Sequence, residues 1–232
     1  MSVCGRFTLT ADLEILRRIF LFAQQADLTY NRRYNIAPGQ KVLVVTEGTG
    51  QRRVATMRWG LIPGWAREER IGYKLINARA ETIDQKPSFR KAFLERRCLI
   101  PADGFFEWKR AGREKYPFRI ILPDKPVFAF AGVWEQWRSP EGKSITSCCI
   151  ITTEANAFMQ RIHQRMPAIL AEAEEQAIWL KPQRPDAADT LRKLLQPYGG
   201  PMEAYRVSKV VNSPRVDTPE CIARLDRTNY DQ

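Results

Sequence analysis

Between Cys98 and Thr152 the chain offers one strand candidate after another. Cys98–Ile100, Gly104–Lys109, Tyr116–Leu122, Val127–Trp137 and Ile145–Thr152 all carry β-branched or aromatic residues. Ala111-Gly112, Pro123-Asp124 and Pro140-Glu141-Gly142 punctuate them as turns. Upstream, Lys41–Thr46 and Arg52–Trp59 read as two further strands around a turn at Glu47–Gly50. Helical patterns lie toward the ends. Thr10 is a candidate cap for a first helix of about a dozen residues, with Leu13, Leu16, Ile19 and Phe20 on one face. Pro87 opens a short helix over Ser88–Phe93. Glu154–His163, Glu172–Leu180 and Asp186–Leu195 also read as helical, and Met202–Val207 as a late strand. Strands in a run with helices clustered at the ends predict an α+β domain on mainly antiparallel sheet. No repeat or low-complexity linker divides the 232 residues. One domain is therefore expected over residues 1–214, followed by a polar, loose tail over 215–232.

Charge narrows the class of partner. Lys and Arg number 37 against 26 Asp and Glu, a net charge of +11. A basic compact domain suits a polyanion such as nucleic acid, although a merely solvated basic surface has the same composition. No apolar run reaches the roughly 18 residues of a membrane span. The N-terminus lacks an apolar signal region, so a cytoplasmic protein is expected. The five cysteines (Cys4, Cys98, Cys148, Cys149 and Cys221) show no metal-like pair at two-residue spacing. Their odd number argues against a disulfide framework. Cys98, Cys148 and Cys149 lie in apolar surroundings and read as small core residues. Neither a metal nor a cofactor is expected.

A few residues could carry chemistry. Cys4 stands near the start, in Cys4-Gly5-Arg6-Phe7. A cysteine with a free α-amine holds two nucleophiles, and both can close on one aldehyde as a thiazolidine ring. His163 is the only histidine; it is either a satisfied structural residue or a proton carrier near neutrality. Glu107 lies among aromatics in Phe105-Phe106-Glu107-Trp108. Phe105 and Glu107 share one strand face, and Phe106 and Trp108 the other. Glu107 is either an edge residue facing water or a desolvated acid with a raised pKa. Asn77-Ala78-Arg79-Ala80-Glu81 is a polar island after Leu75-Ile76. It can orient a nucleophile and hold a phosphate, or be turn chemistry with a surface ion pair. Trp59 and Trp65 bracket glycine and proline turns, with Arg58, Arg67 and Lys74 nearby. One tryptophan is expected to pack and the other to offer a stacking face for unpaired bases.

Taken together, the blocks resemble the SOS-response-associated peptidase (SRAP) family, which crosslinks to abasic sites in single-stranded DNA. They are Cys4-Gly5-Arg6-Phe7, Tyr34-Asn35-Ile36-Ala37-Pro38, Arg58-Trp59-Gly60-Leu61-Ile62-Pro63 and Asn77-Ala78-Arg79-Ala80-Glu81-Thr82. Arg97-Cys98-Leu99-Ile100-Pro101-Ala102, Phe106-Glu107-Trp108, His163-Gln164-Arg165-Met166-Pro167 and Val211-Asn212-Ser213-Pro214 complete the set. The resemblance spans residues 4 to 214 in order and is specific as a set. It implies a single α+β domain with a partly barrel-like β-structure and a basic cleft. It also implies that Cys4 is the nucleophile through both thiol and amine, with Asn77, Glu107 and His163 as the other active-site residues. Arg6 and Arg79 match positions that touch DNA phosphate or the reacting sugar. Trp59, Trp65, Trp108 and Pro38 are the further DNA-facing candidates. The implied partner is single-stranded DNA carrying abasic sites. The implied protein is a monomer that needs no cofactor and sits at the nucleoid when acting.

One departure matters. The family's cysteine usually follows the initiator methionine directly, whereas Ser2 and Val3 intervene here. An acylated Cys4 nitrogen cannot form a Schiff base. Either the Val3–Cys4 bond is cut, with self-cleavage by the Cys4 thiol as one route, or the prefix is absent from the working protein. Two competing readings are a cysteine peptidase acting on other proteins and a non-catalytic single-stranded DNA binder.

Overall fold

The computed structural model describes residues 4–23, 28–48, 50–181 and 188–225. In chain order the first elements are β1 (Phe7–Leu9), α1 (Leu13–Phe20), β2 (Arg33–Ile36), β3 (Lys41–Thr46), β4 (Arg53–Trp59) and β5 (Asn77–Arg79). Next come α2 (Arg90–Glu95), β6 (Arg97–Ala102), β7 (Gly104–Ala111), β8 (Glu114–Ile121), β9 (Phe128–Arg138) and β10 (Ser144–Glu154). The last are β11 (Arg165–Pro167), β12 (Ile169–Leu170), α3 (Ala173–Leu180), α4 (Ala188–Lys193) and β13 (Glu203–Arg206). Thr49 of the expected turn and the first two residues of the helix expected at Asp186–Leu195 lie outside the described residues, as do Met1–Val3 and residues 226–232.

Five strands close into a barrel in the circuit β3-β4-β10-β9-β6 and back to β3. Every seam is antiparallel except β4–β10. The interior is narrow. A Cβ on Gly132 of β9 would fall 2.9 Å from Ile100 Cδ1 and 3.1 Å from the Cys149 carbonyl oxygen, so only glycine fits there. Cys98, Cys148 and Cys149 are fully buried and unpaired as disulfides, as their apolar settings predict.

A second, antiparallel sheet runs β13-β8-β7-β1-β2. Edge-to-face aromatics weld it to the barrel. Phe7 packs on Trp59 at 5.3 Å and on Phe130 at 5.6 Å, and Phe105 meets Phe130 at 6.0 Å between ring centroids. The helices sit outside. Arg97 gathers two of their ends, donating to the Phe93 and Leu94 carbonyls of α2 and to those of Trp179 and Lys181 at the end of α3. These are carbonyls that a helix terminus leaves without an intrahelical partner.

Three expectations change. Thr10 does not cap α1, because its N–H and hydroxyl both donate to Asp103; the helix starts later, with Asp12 at the N-cap. Glu154–His163 is not a helix. Glu154 ends β10, Asn156 Oδ1 accepts the Met159 N–H at 2.8 Å, and a single 3-10 turn returns the chain as β11 beside β10. Pairing with a buried strand outweighs helical propensity there. The segment after Ser213 is not loose over its described part. Asp217 accepts the main-chain N–H groups of Tyr34 and Asn35 at 2.6 and 2.8 Å, and Cys221 is fully buried.

Candidate active site

The barrel and the sheet meet where β1 begins. Phe7 pairs with Phe105, and the Phe106 N–H donates to the Arg6 carbonyl at 3.0 Å. Beyond Arg6 the chain turns away from the ladder. Cys4 adopts φ +46°, a left-handed conformation that costs a residue with a Cβ about 1–2 kcal/mol. This turn delivers the Cys4 main-chain N–H to Glu107 Oε1 at 2.6 Å. Both residues are buried, with Cys4 at 0% and Glu107 at 3% exposure.

Burial decides their chemistry. It pushes the Glu107 carboxyl up to about 8, against opposing hydrogen bonds from the Cys4 and Trp108 main chain. Of the two alternatives read from sequence, Glu107 is therefore the desolvated acid. Burial first, and the Glu107 charge second, hold the Cys4 thiol well above its ordinary range. The pair is a protonatable carboxyl touching the nitrogen of a neutral cysteine.

The other candidates enter through strands flanking β10. On one edge β5 runs parallel to it, with Asn77 opposite Ile150 and Arg79 opposite Thr152. Ala78 points into the core at 1% exposure, so Asn77 and Arg79 share the outward face. On the other edge β11 pairs antiparallel, and His163 stands just before it. Its Nδ1 accepts the Arg165 N–H at 3.1 Å, which leaves the ring proton on Nε2. Burial lowers the imidazole below its usual range, against an opposing main-chain hydrogen bond at Arg165, and so favours the neutral ring. The Arg165 guanidinium forks onto Glu81 at 2.7 and 3.0 Å and so ties β11 to the segment after β5.

The aromatic candidates separate. Trp59 is a correction to the DNA-facing set. It is 1% exposed, and its indole N–H donates to the Ile76 carbonyl at 2.9 Å. It packs between Phe7 of the Cys4 strand and the residue before Asn77, which is a structural place. Trp65 is 60% exposed. Trp108 is half-buried; its indole N–H donates to Asn212 Oδ1 at 2.8 Å, and the Arg6 guanidinium lies 6.0 Å from the ring centroid. Arg6 also donates to Asn35 Oδ1 and to the Val211 and Asn212 carbonyls, which binds the distant Val211-Asn212 segment to the site. Pro38 is half-buried in the turn after β2. Three features receive no role from the sequence alone. Tyr73 is 64% exposed with the Arg58 guanidinium 4.8 Å from its ring centroid, Arg165 orients His163, and Asn212 fixes Trp108. The only signal for the last two was their place inside motif blocks.

Comparison with known proteins agrees with this geometry. The family model for SOS response associated peptidase (SRAP) matches residues 3–214. The chain belongs to the SRAP family. Among SRAP relatives, it is 48% identical over 223 residues to abasic site processing protein YoqW of Bacillus subtilis, covering 95% of this chain and 99% of that one. It is 34% identical over 199 residues to abasic site processing protein HMCES of Xenopus tropicalis, covering 76% of this chain and 59% of that longer protein. A crystal structure of a Bacteroides thetaiotaomicron protein superposes with a TM-score of 0.83 at 30% identity, covering 96% of this chain and all of that one. The SRAP architecture is thus a closed five-stranded barrel with an antiparallel sheet against it, the α+β class with partly barrel-like β-structure. Among the described residues no helix is long and apolar enough to cross a membrane, and no cluster of His, Cys, Asp and Glu has the makings of a metal site.

Proposed function

We propose that this protein captures abasic sites in single-stranded DNA covalently on Cys4, after cutting its own Val3–Cys4 bond. The observation that carries the reading is the 2.6 Å contact between the Cys4 nitrogen and a buried, protonatable Glu107. The names of the relatives, abasic site processing proteins, support the substrate class.

Two steps use the same pair. In the first, Cys4 Sγ attacks the Val3 carbonyl bonded to its own nitrogen, so no approach has to be organised. Glu107 gives its proton to the Cys4 nitrogen as the C–N bond breaks and takes up the proton that the thiol loses, so the carboxyl ends as it began. Water then hydrolyses the thioester, releasing Met1–Val3 and leaving a free α-amine. The left-handed backbone at Cys4 favours departure from the intact chain. Cys4 is fully buried, which keeps foreign peptides from the thiol while its own Val3 carbonyl is covalently adjacent, and this argues against a peptidase acting on other proteins.

In the second step the amine attacks the aldehyde of the ring-opened sugar. Loss of water gives a Schiff base, and the thiol adds to its carbon to close the thiazolidine; the balance is one water released. The free α-amine titrates near 7.7–8.0 in reference peptides, so the neutral share rises from about a tenth at pH 7 to about half or two-thirds at pH 8. Glu107 shuttles protons for sugar opening and water loss, His163 serves the sugar oxygen, and Asn77 holds the amine. Arg79 and Arg6 meet phosphate or sugar, while Trp65, Trp108 and Pro38 face the bases. The working unit starts at Cys4 and runs past residue 214, because Asp217 and Cys221 are built into the domain; it acts as a cofactor-free monomer in the cytoplasm at the nucleoid. The test is an abasic single-stranded oligonucleotide followed by denaturing electrophoresis. The wild type retains the DNA, and Cys4→Ala does not. An undiminished adduct in Cys4→Ala would refute the assignment.

A further inference from the structure

A buried carboxylate outside the Cys4–Glu107 pair governs the strand that carries Cys4. Asp103 is the single residue between β6 of the barrel and β7 of the sheet. It is 9% exposed and accepts from one short stretch of chain. Oδ1 takes the Thr8 hydroxyl at 2.5 Å; Oδ2 takes the Thr10 hydroxyl at 2.7 Å, the Thr10 N–H, and the Ala11 N–H at 3.2 Å. Its own N–H donates to the Thr8 carbonyl at 3.0 Å. Arg119, equally buried, donates to Oδ1 at 3.2 Å and to the Tyr205 hydroxyl at 2.8 Å. A Cβ at Gly104 would fall 2.7 Å from Arg119 Nε, so the glycine lets the guanidinium lie on the corner. From the other side Tyr30 donates to the Leu9 and Ala11 carbonyls at 3.2 and 2.6 Å.

This grip answers a weakness of β1. The strand has three residues, and its pairing with β2 is irregular between Phe7 and Leu9. Three residues give β1 few ladder hydrogen bonds of its own, and a slip of one residue moves the backbone by about 3.3 Å while turning every side chain to the opposite face. Such a slip takes the Cys4 nitrogen out of the 2.6 Å contact with Glu107. The network grips residues 8 to 11 at the C-terminal end of β1, and Cys4 lies beyond its N-terminal end.

We propose that Asp103 is a positioning residue for the reaction. Locked by Arg119, it fixes the register of the N-terminal strand and so holds Cys4 against Glu107. This rests on the reading of Cys4 as the crosslinking residue. The test uses the full chain, with Asp103→Asn and Thr10→Val, in single turnover with excess protein over a labelled abasic oligonucleotide. Three quantities are read: the first-order rate constant of adduct formation, its end point, and the affinity for the same oligonucleotide without an abasic site. Misplacement of a reacting group by about 1 Å is worth up to 100-fold, so Asp103→Asn slows the rate constant at least roughly tenfold and Thr10→Val roughly threefold. End point and affinity stay at the wild-type level. A wild-type rate constant in the variants that fold overturns the proposal. So does a loss confined to the end point, which signals fewer folded molecules at unaltered chemistry. An adduct absent from the wild type itself would sink the reading of Cys4, and the proposal with it.

Discussion

Glu107 is where sequence, burial and chemistry meet in one side chain. Its carboxyl titrates near 8 in the folded chain against an ordinary 4.5. Between those values the folded state holds a proton that the unfolded chain has released. Stability therefore falls as pH rises through that window. The cost above pH 8 is on the order of a few kcal/mol. Glu107→Gln keeps the acceptor for the Cys4 N–H and removes the charge. In a Cys4→Ala background, where residues 1–3 stay attached and Cys4's amide is replaced only by alanine's, the Glu107→Gln chain melts above the Glu107 chain at pH 8, and the difference shrinks toward pH 4.5. In the chain that keeps Cys4, Glu107→Gln also retains Met1–Val3 by intact mass, having no proton to give the leaving nitrogen. A melting difference that ignores pH would contradict the desolvated-acid account. The value near 8 belongs to the chain with an amide at Cys4; an ammonium freed beside Glu107 pulls it down.

At the scale of elements, Trp59 and its neighbours hold the Cys4 strand to the barrel. Trp59 ends β4, packs on Phe7 of β1 and donates to Ile76 just before β5. Trp59→Ala costs about 3–5 kcal/mol in urea unfolding, as for other buried aromatics. Retention of wild-type stability would remove it from the core. Much of this architecture is legible in the residues. Lys41–Thr46 is β3 at the bounds its β-branched run predicts, and the expected Glu172–Leu180 helix is α3 (Ala173–Leu180) with Glu172 as its N-cap and Glu175 closing a capping box. What is not legible depends on partners distant in sequence. Thr10 reads as a cap until Asp103 takes its donors, and Glu154–His163 reads as helix until β10 claims Glu154. The site divides the same way. The alternation in Phe105-Phe106-Glu107-Trp108 gives the face of Glu107, but whether that face is wet or buried depends on the packing of β1.

For the whole molecule, the charge of +11 and the exposed aromatics are a single functional surface in the proposed account. Trp65 and Tyr73 are exposed at 60% and 64%, beside Arg58, Arg67 and Lys74. Trp65→Ala weakens binding to undamaged single-stranded DNA by about 1–3 kcal/mol in a fluorescence titration. It leaves stability within about 0.5 kcal/mol, because the side chain is on the surface. Unchanged affinity would place the DNA elsewhere. The fold thus sets a basic exterior around a dry corner, where one cysteine nitrogen touches one acid. The most direct measurement is the mass of the N-terminal peptide released by protease from the adduct with abasic DNA. The account predicts a peptide that begins at Cys4 and carries the sugar remnant, with one water lost. A crosslinked peptide that still begins at Met1 or Ser2, or a remnant on any other residue, would contradict it.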